Sequence, residues 1–136
     1  MTDKLTLLLV EDDDGLRTIA TEILKTVHDV IEVNNGARAI EEIEKETNHF
    51  DFLVTDFNMP HKNGAAVVRA FLNRFPLAQA IMMSGNISSG QYADPQLVSI
   101  LKEFPSLSFI AKPFDHGALL DIIQDLVTKT GEGEGE

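Results

Sequence analysis

A chain of 136 residues with 22 acidic and 11 basic side chains carries a formal charge of −11, an excess that speaks against direct binding to nucleic-acid phosphates, which needs a cationic footprint. It holds no cysteine, so disulfides and thiolate metal sites are excluded, which fits a reducing cytoplasm. The length suits one domain whose core needs no covalent staple, and the N-terminal MTDKLTLLLV is neither a secretory signal nor a membrane span.

Leu5 to Val10 is a short, nearly continuous apolar run, the pattern of a strand buried on both faces. It ends in four acids, Glu11 to Asp14, of which Asp13 or Asp14 suits the N-cap of a following helix. In that helix Leu16, Ile19, Ala20, Ile23, Leu24 and Val27 recur at helical spacing and are expected to face inward. Val30 to Val33 reads as an edge strand around Glu32, and Asn34, Asn35 and Gly36 as a turn. A second helix runs to about Thr47, with Ala37, Ile40 and Ile43 inward. Phe52 to Thr55 is another buried strand, running straight into Asp56; Asn58, Pro60 and Gly64 then signal a turn. Val67, Val68, Phe71, Leu72 and Phe75 mark a third helix, stopped by Pro76. Ala80 to Met83 is a strand ending at Ser84-Gly85, and Asn86 to Pro95 reads as loop. A fourth helix carries Leu97, Val98, Leu101 and Phe104. Leu107 to Ala111 is a strand that stops at Lys112-Pro113, and Asp115 caps a last helix with Leu119, Leu120, Ile123, Leu126 and Val127 inward. One folded unit is thus expected over residues 1–130, with a disordered Gly/Glu tail over 131–136.

Five strands alternating with five helices imply an α/β fold, a parallel sheet covered on both faces. All strand ends of one sense then share an edge, where neighbouring strands lie about 4.8 Å apart. Four of these ends are polar: Glu11 and Asp12, Asp56, Ser84, and Lys112. Taken singly, each has an ordinary explanation as a cap, a dipole partner or a solvated charge. Together they suggest phosphoryl transfer. Three carboxylates in one place repel and call for a cation, and oxygen ligands with room for water suit Mg2+. A carboxylate can itself attack phosphorus to give an acyl phosphate. A lysine and a serine hydroxyl can then share the charge on the phosphoryl oxygens.

The motifs VEDD (Val10 to Asp13), TDFNMPHKNG (Thr55 to Gly64), MSG (Met83 to Gly85) and FIAKPF (Phe109 to Phe114) stand in this order over about residues 5 to 128. In this the chain resembles a response-regulator receiver domain of two-component signalling, of the single-domain, chemotaxis-regulator-like kind. The resemblance implies a (βα)5 doubly wound, flavodoxin-like sheet in the order 2-1-3-4-5. It implies Asp56 as phospho-acceptor, Lys112 as holder of a phosphoryl oxygen behind a cis peptide to Pro113, Ser84 as the switch hydroxyl and Phe109 as the aromatic switch position. Glu11, Asp12, Asp56 and the backbone carbonyl of Asn58 would bind Mg2+ or Mn2+. The acid pair registers as Glu11 and Asp12 because Arg17, five residues beyond Asp12, matches the family's basic position. The partners implied are a histidine kinase or histidine phosphotransfer protein and a protein target reading the face formed by the fourth helix, fifth strand and fifth helix. No nucleic acid or membrane is expected to be bound directly. Self-phosphorylation and slow autodephosphorylation are expected, without turnover of a small substrate.

Two features depart from the family's common pattern. Phe109 lacks the hydroxyl of a frequent tyrosine, and the 28-residue interval from Ser84 to Lys112 is longer than usual, with Asn86 to Pro95 the expected insertion. Two other functions compete. A pseudo-receiver scaffold would bind partners without phosphorylation, yet every phosphorylation residue is in place. A haloacid-dehalogenase-type hydrolase would need a second acid two residues after the nucleophile, where this chain has Asn58. His28, His49, His61 and His116 show no metal-ligand spacing and read as surface histidines.

Overall fold

Leu7, Leu8, Leu9 and Val10 have no solvent exposure, and Phe52 to Asp56 is buried throughout. That is possible only where both sheet faces are covered, because successive side chains point to opposite faces. The computed structural model describes residues 4–57, 59, 63–84, 95–111 and 116–134, with backbone alone at 84, 96, 97, 111, 116 and 127–134. Its elements run β1 (Thr6–Val10), α1 (Asp14–Lys25), β2 (Asp29–Val33), α2 (Gly36–Glu44), β3 (Phe52–Asp56), α3 (Gly64–Arg74), β4 (Gln79–Ser84), α4 (Pro95–Glu103), β5 (Ser108–Ala111) and α5 (His116–Glu134). All neighbouring strands pair parallel, in the order β2-β1-β3-β4-β5, the doubly wound arrangement expected.

The alternation divides the core in two. Leu7, Leu9, Phe52, Val54, Ile81 and Met83 pack with Leu24 of α1 and with Leu119 and Ile123 of α5. Leu8, Val10, Leu53 and Met82 pack on the other face with Ala39 and Ile43 of α2, Val67, Val68 and Phe71 of α3, and Ile100 of α4. Polar side chains start three of the helices. Asp13, Asn35 and Asn63 accept hydrogen bonds from the backbone N–H of Leu16, Arg38 and Ala66, each satisfying one of the orphan donors of a first turn. Proline opens α4 at Pro95, where its missing N–H costs nothing. Among the described residues, no helix is long and apolar enough to cross a membrane.

Three expectations are corrected. The α1 stripe is only half inward: Leu16, Ile19 and Val27 are 46%, 41% and 37% exposed, whereas Thr21 and Leu24 are buried. The helix lies over the β2 edge and beside α5, which leaves its far flank exposed. His28 is not a surface residue. It is buried in the connection to β2, and its Nδ1 accepts the Leu5 N–H at 3.2 Å. Finally, α5 continues to Glu134, so the Gly/Glu stretch expected to be disordered from residue 131 is helical over its first four residues. An established helix adds one backbone hydrogen bond for each residue it recruits. The loop expected over Asn86 to Pro95 lies outside the described residues except for Pro95.

Candidate phospho-acceptor site

The edge at which the strands end carries the acids. Val10 pairs with Val33 of β2 and with Thr55 of β3. The Glu11 N–H still donates to the Val33 carbonyl at 3.2 Å, so Glu11 leaves the sheet one residue past Val10, beside Asp56, one residue past Thr55. This is the crevice between β1 and β3 where the winding of the sheet reverses, the place where open α/β sheets bind ligands. One carboxylate oxygen each from Glu11, Asp12 and Asp56 lies within 4.8 Å of the others. Glu11 and Asp56 are buried, at 2% and 5% exposure, and Asp12 is exposed.

Several contacts fix this geometry. The Asp13 N–H donates to Glu11 Oε2 at 3.1 Å. The Thr55 hydroxyl donates to the Asp56 carbonyl at 3.0 Å, and the Phe57 N–H to the Met83 carbonyl at 2.9 Å. The N-terminus of α3 lies directly against the end of β3: the Gly64 N–H donates to the Phe57 carbonyl at 2.8 Å. A Cβ on Gly64 would stand 2.4 Å from the Asp56 carbonyl oxygen, so only glycine permits this approach. Arg17 reaches back from α1 to donate to the Glu11 carbonyl at 3.0 Å. The Asp14 carboxylate foremost, and then that of Glu32, hold its guanidinium above the ordinary arginine range.

A cluster of three carboxylates, two of them buried, is costly unless a cation offsets the repulsion. The donors are all oxygen, and the exposed Asp12 leaves one side open to water, so the set fits a hard divalent ion that keeps part of its hydration. Among the described residues this is the one group of three acidic or imidazole side chains close enough to share an ion.

The other expected site residues are placed in part. Asp56 pairs with Met83, and Ser84, the next residue, ends β4 opposite Ala111; its side chain lies outside the described part of the structure. Lys112 and Asn58 lie outside the described residues, as does the Lys112–Pro113 peptide. Phe109 pairs with Met82 on β5 and is half-buried against the α2–α3–α4 side of the core. His49 is a surface residue, edge-on to Phe75 with a ring separation of 5.7 Å. His61 lies outside the described residues.

The sequence places the acids but gives no structural part to Thr55, Gly64 or Arg17 beyond strand, turn and register. The signals were present. Gly64 follows directly on the capping Asn63, and Arg17 is a cation near the positive end of a helix, where one is disfavoured.

The family model for the response regulator receiver domain matches residues 7–124. Among curated proteins, the chain is 29% identical over 128 residues to the sensor kinase CckA of Brucella abortus, covering 91% of this chain and 13% of that protein. It is 26% identical over 124 residues to sporulation initiation phosphotransferase F of Bacillus subtilis, covering 90% of each. The chain spans only 12 to 14% of three of its curated relatives. Among solved structures, a CheY-like response regulator receiver domain from Methanospirillum hungatei superposes with a TM-score of 0.80 at 19% identity, covering 96% of this chain and 99% of that one. This last likeness is one of fold.

Proposed function

Because the chain belongs to the response regulator receiver domain family, the phospho-accepting module of two-component signalling, we propose that Asp56 is its acceptor and that a histidine kinase or histidine phosphotransfer protein is the donor. The observation that carries this assignment is the convergence of Glu11, Asp12 and Asp56 within 4.8 Å at the C-terminal edge of the central strands. An Asp56 carboxylate oxygen attacks the phosphorus of a phosphohistidine. The P–O bond forms as the P–N bond breaks, the electron pair returns to the imidazole, and Asp56 becomes an acyl phosphate. Glu11, Asp12, Asp56 and the Asn58 carbonyl are the ligands we assign to Mg2+ or Mn2+. The ion, when bound, offsets the carboxylate charge and that of the phosphoryl oxygens.

Thr55 and Gly64 hold the Asp56 backbone, and Glu11 is held by the Asp13 N–H, so the acceptor and its acidic neighbours need little rearrangement to react. Lys112 takes the role of charge partner to the phosphoryl group. Ser84 and Phe109 form the switch that passes its presence to the face of α4, β5 and α5, where a protein target reads it. Phe109 has no hydroxyl, so its part is one of packing against the core. The receiver unit, with the whole of α5, works in the cytoplasm. Slow loss of the phosphoryl group to water, rather than turnover of a small substrate, resets it.

Incubation of the full chain with acetyl phosphate and Mg2+, followed by intact mass, tests the assignment. A gain of one phosphoryl group in the wild type and none in Asp56→Asn is expected. No gain in the wild type, or an undiminished gain in Asp56→Asn, refutes it. Sustained release of phosphate from a small phosphoester would point instead to a hydrolase.

A further inference from the structure

Arg17 makes three hydrogen bonds to three separate parts of the chain. Its Nη1 donates to the Glu11 backbone carbonyl at 3.0 Å, its Nε to Glu32 on β2 at 3.2 Å, and its Nη2 to Asp14 at the start of α1 at 2.7 Å. The side chain is only 17% exposed, less than either acid it meets. A planar guanidinium presents its donors in a fixed fork, so three acceptors in three directions define its position. Glu32 holds Nε and Asp14 holds Nη2, and the remaining nitrogen, Nη1, faces the main chain of Glu11, a member of the acidic cluster. The carbonyl that Arg17 grips belongs to the residue where the chain leaves β1 and turns toward Asp12.

We propose that Arg17 is a positioning residue for the metal site: its three-way grip fixes the Glu11–Asp12 turn so that both carboxylates converge on Asp56 before a divalent cation binds. This rests on the reading of Glu11, Asp12 and Asp56 as Mg2+ ligands. Two effects of Arg17 on a cation act in opposite directions. Its charge repels Mg2+, so its removal on electrostatic grounds alone tightens binding. Its grip orients the ligands, so its removal on geometric grounds weakens binding, and partners of metal ligands commonly contribute tenfold or more to affinity. The geometric effect is the larger, because the charge of Arg17 is already largely offset by Asp14 and Glu32.

Titration calorimetry of the full chain with MgCl2 separates the two. Arg17→Lys keeps the charge but cannot reach three acceptors with one ammonium, and its Mg2+ Kd is expected to rise about tenfold. Arg17→Gln is expected to weaken binding as well, despite the lost repulsion. Lys45→Gln removes a cation at the C-terminal end of α2 and is expected to leave Kd unchanged. Melting temperatures without Mg2+ confirm that each protein is folded, and should Arg17→Gln not fold, Arg17→Lys carries the test. A wild-type Kd in Arg17→Lys, or tighter binding in Arg17→Gln, overturns the positioning role. A wild type that takes up no Mg2+ overturns the ligand assignment itself, a result distinct from variants that match a binding wild type.

Discussion

Alanine at position 64 sets a methyl group 2.4 Å from the Asp56 carbonyl oxygen and 2.7 Å from Phe57 Cα. Both obstacles are main-chain atoms at the end of a central strand, so neither can turn aside as a side chain would. Ordinary contact begins near 3.4 Å, and α3 must therefore withdraw by about 1 Å. Overpacking of this kind costs about 1–3 kcal/mol. The withdrawal also stretches the 2.8 Å bond from the Gly64 N–H to the Phe57 carbonyl, which adds about 1 kcal/mol. The better helix propensity of alanine returns at most about 1 kcal/mol. The net loss is about 1–3 kcal/mol, or about 4–12 °C in melting temperature for a chain of this length. Because the atom struck is the carbonyl of Asp56, the effect reaches the proposed acceptor. Displacement by about 1 Å can slow a reaction up to a hundredfold, so labelling by acetyl phosphate should slow by at least about tenfold. The control is Gly117→Ala, where an added Cβ meets nothing within 4 Å; it should melt no lower than the wild type. Thermal melts and a labelling time course by intact mass measure both effects. A Gly64→Ala protein that melts within about 2 °C of the wild type and labels at the wild-type rate refutes the close-approach account.

Three further outcomes follow from the core. Burial lowers the pKa of His28 below its ordinary value, against a smaller opposing pull from Asp29, and its Nδ1 acts as acceptor. Below the ordinary histidine pKa the unfolded chain therefore binds more protons than the folded one. The contribution of neutral His28 is complete above pH 6.5 and is lost as pH falls through the folded-state pKa. Urea unfolding between pH 7.5 and 5.5 should show a loss of stability in the wild type that His28→Gln lacks; parallel curves would contradict it. The Thr21 hydroxyl is buried without a hydrogen-bond partner among the described residues. Thr21→Val should therefore be neutral or stabilising by up to about 1 kcal/mol in the same assay, and a loss above about 1 kcal/mol would reveal a partner. Phe71 has no exposure and lies 5.3 Å from the Phe75 ring and 6.4 Å from the Phe50 ring. Phe71→Ala should cost about 3–5 kcal/mol by urea titration, and a cost below about 1 kcal/mol would mean that the aromatic cluster collapses to fill the space.

The acidic site was legible in the sequence because its parts sit at predictable points of local pattern. Leu5 to Val10 and Phe52 to Thr55 read as doubly buried strands; Leu7 to Val10 and Phe52 to Thr55 are buried on the two faces of the sheet, while Leu5 and Thr6 are half-buried. The residues that follow such strands in a parallel sheet must lie at one edge, so Glu11, Asp12 and Asp56 were bound to meet. One helix start was legible for the same kind of reason: Asp13, one of the two caps expected for the first helix, accepts from the Leu16 N–H three residues on, within its own segment.

The features that escaped the sequence all depend on what lies beside a residue from far along the chain. His28 is buried because Leu5, 23 residues earlier, donates to it. Leu16, Ile19 and Val27 have the spacing of a core face, yet the placement of α1 over the sheet edge leaves that flank in solvent. Periodicity records that a helix has an apolar face, not how much of that face a neighbour covers. Arg17 serves in the sequence only to register the acid pair; its bond to Glu32 depends on the pairing of β1 with β2, which brings that carboxylate within reach. Local pattern and chain sense, which act over a few residues, decided where the acids stand. What holds them there was decided by contacts between segments that only the packed sheet brings together.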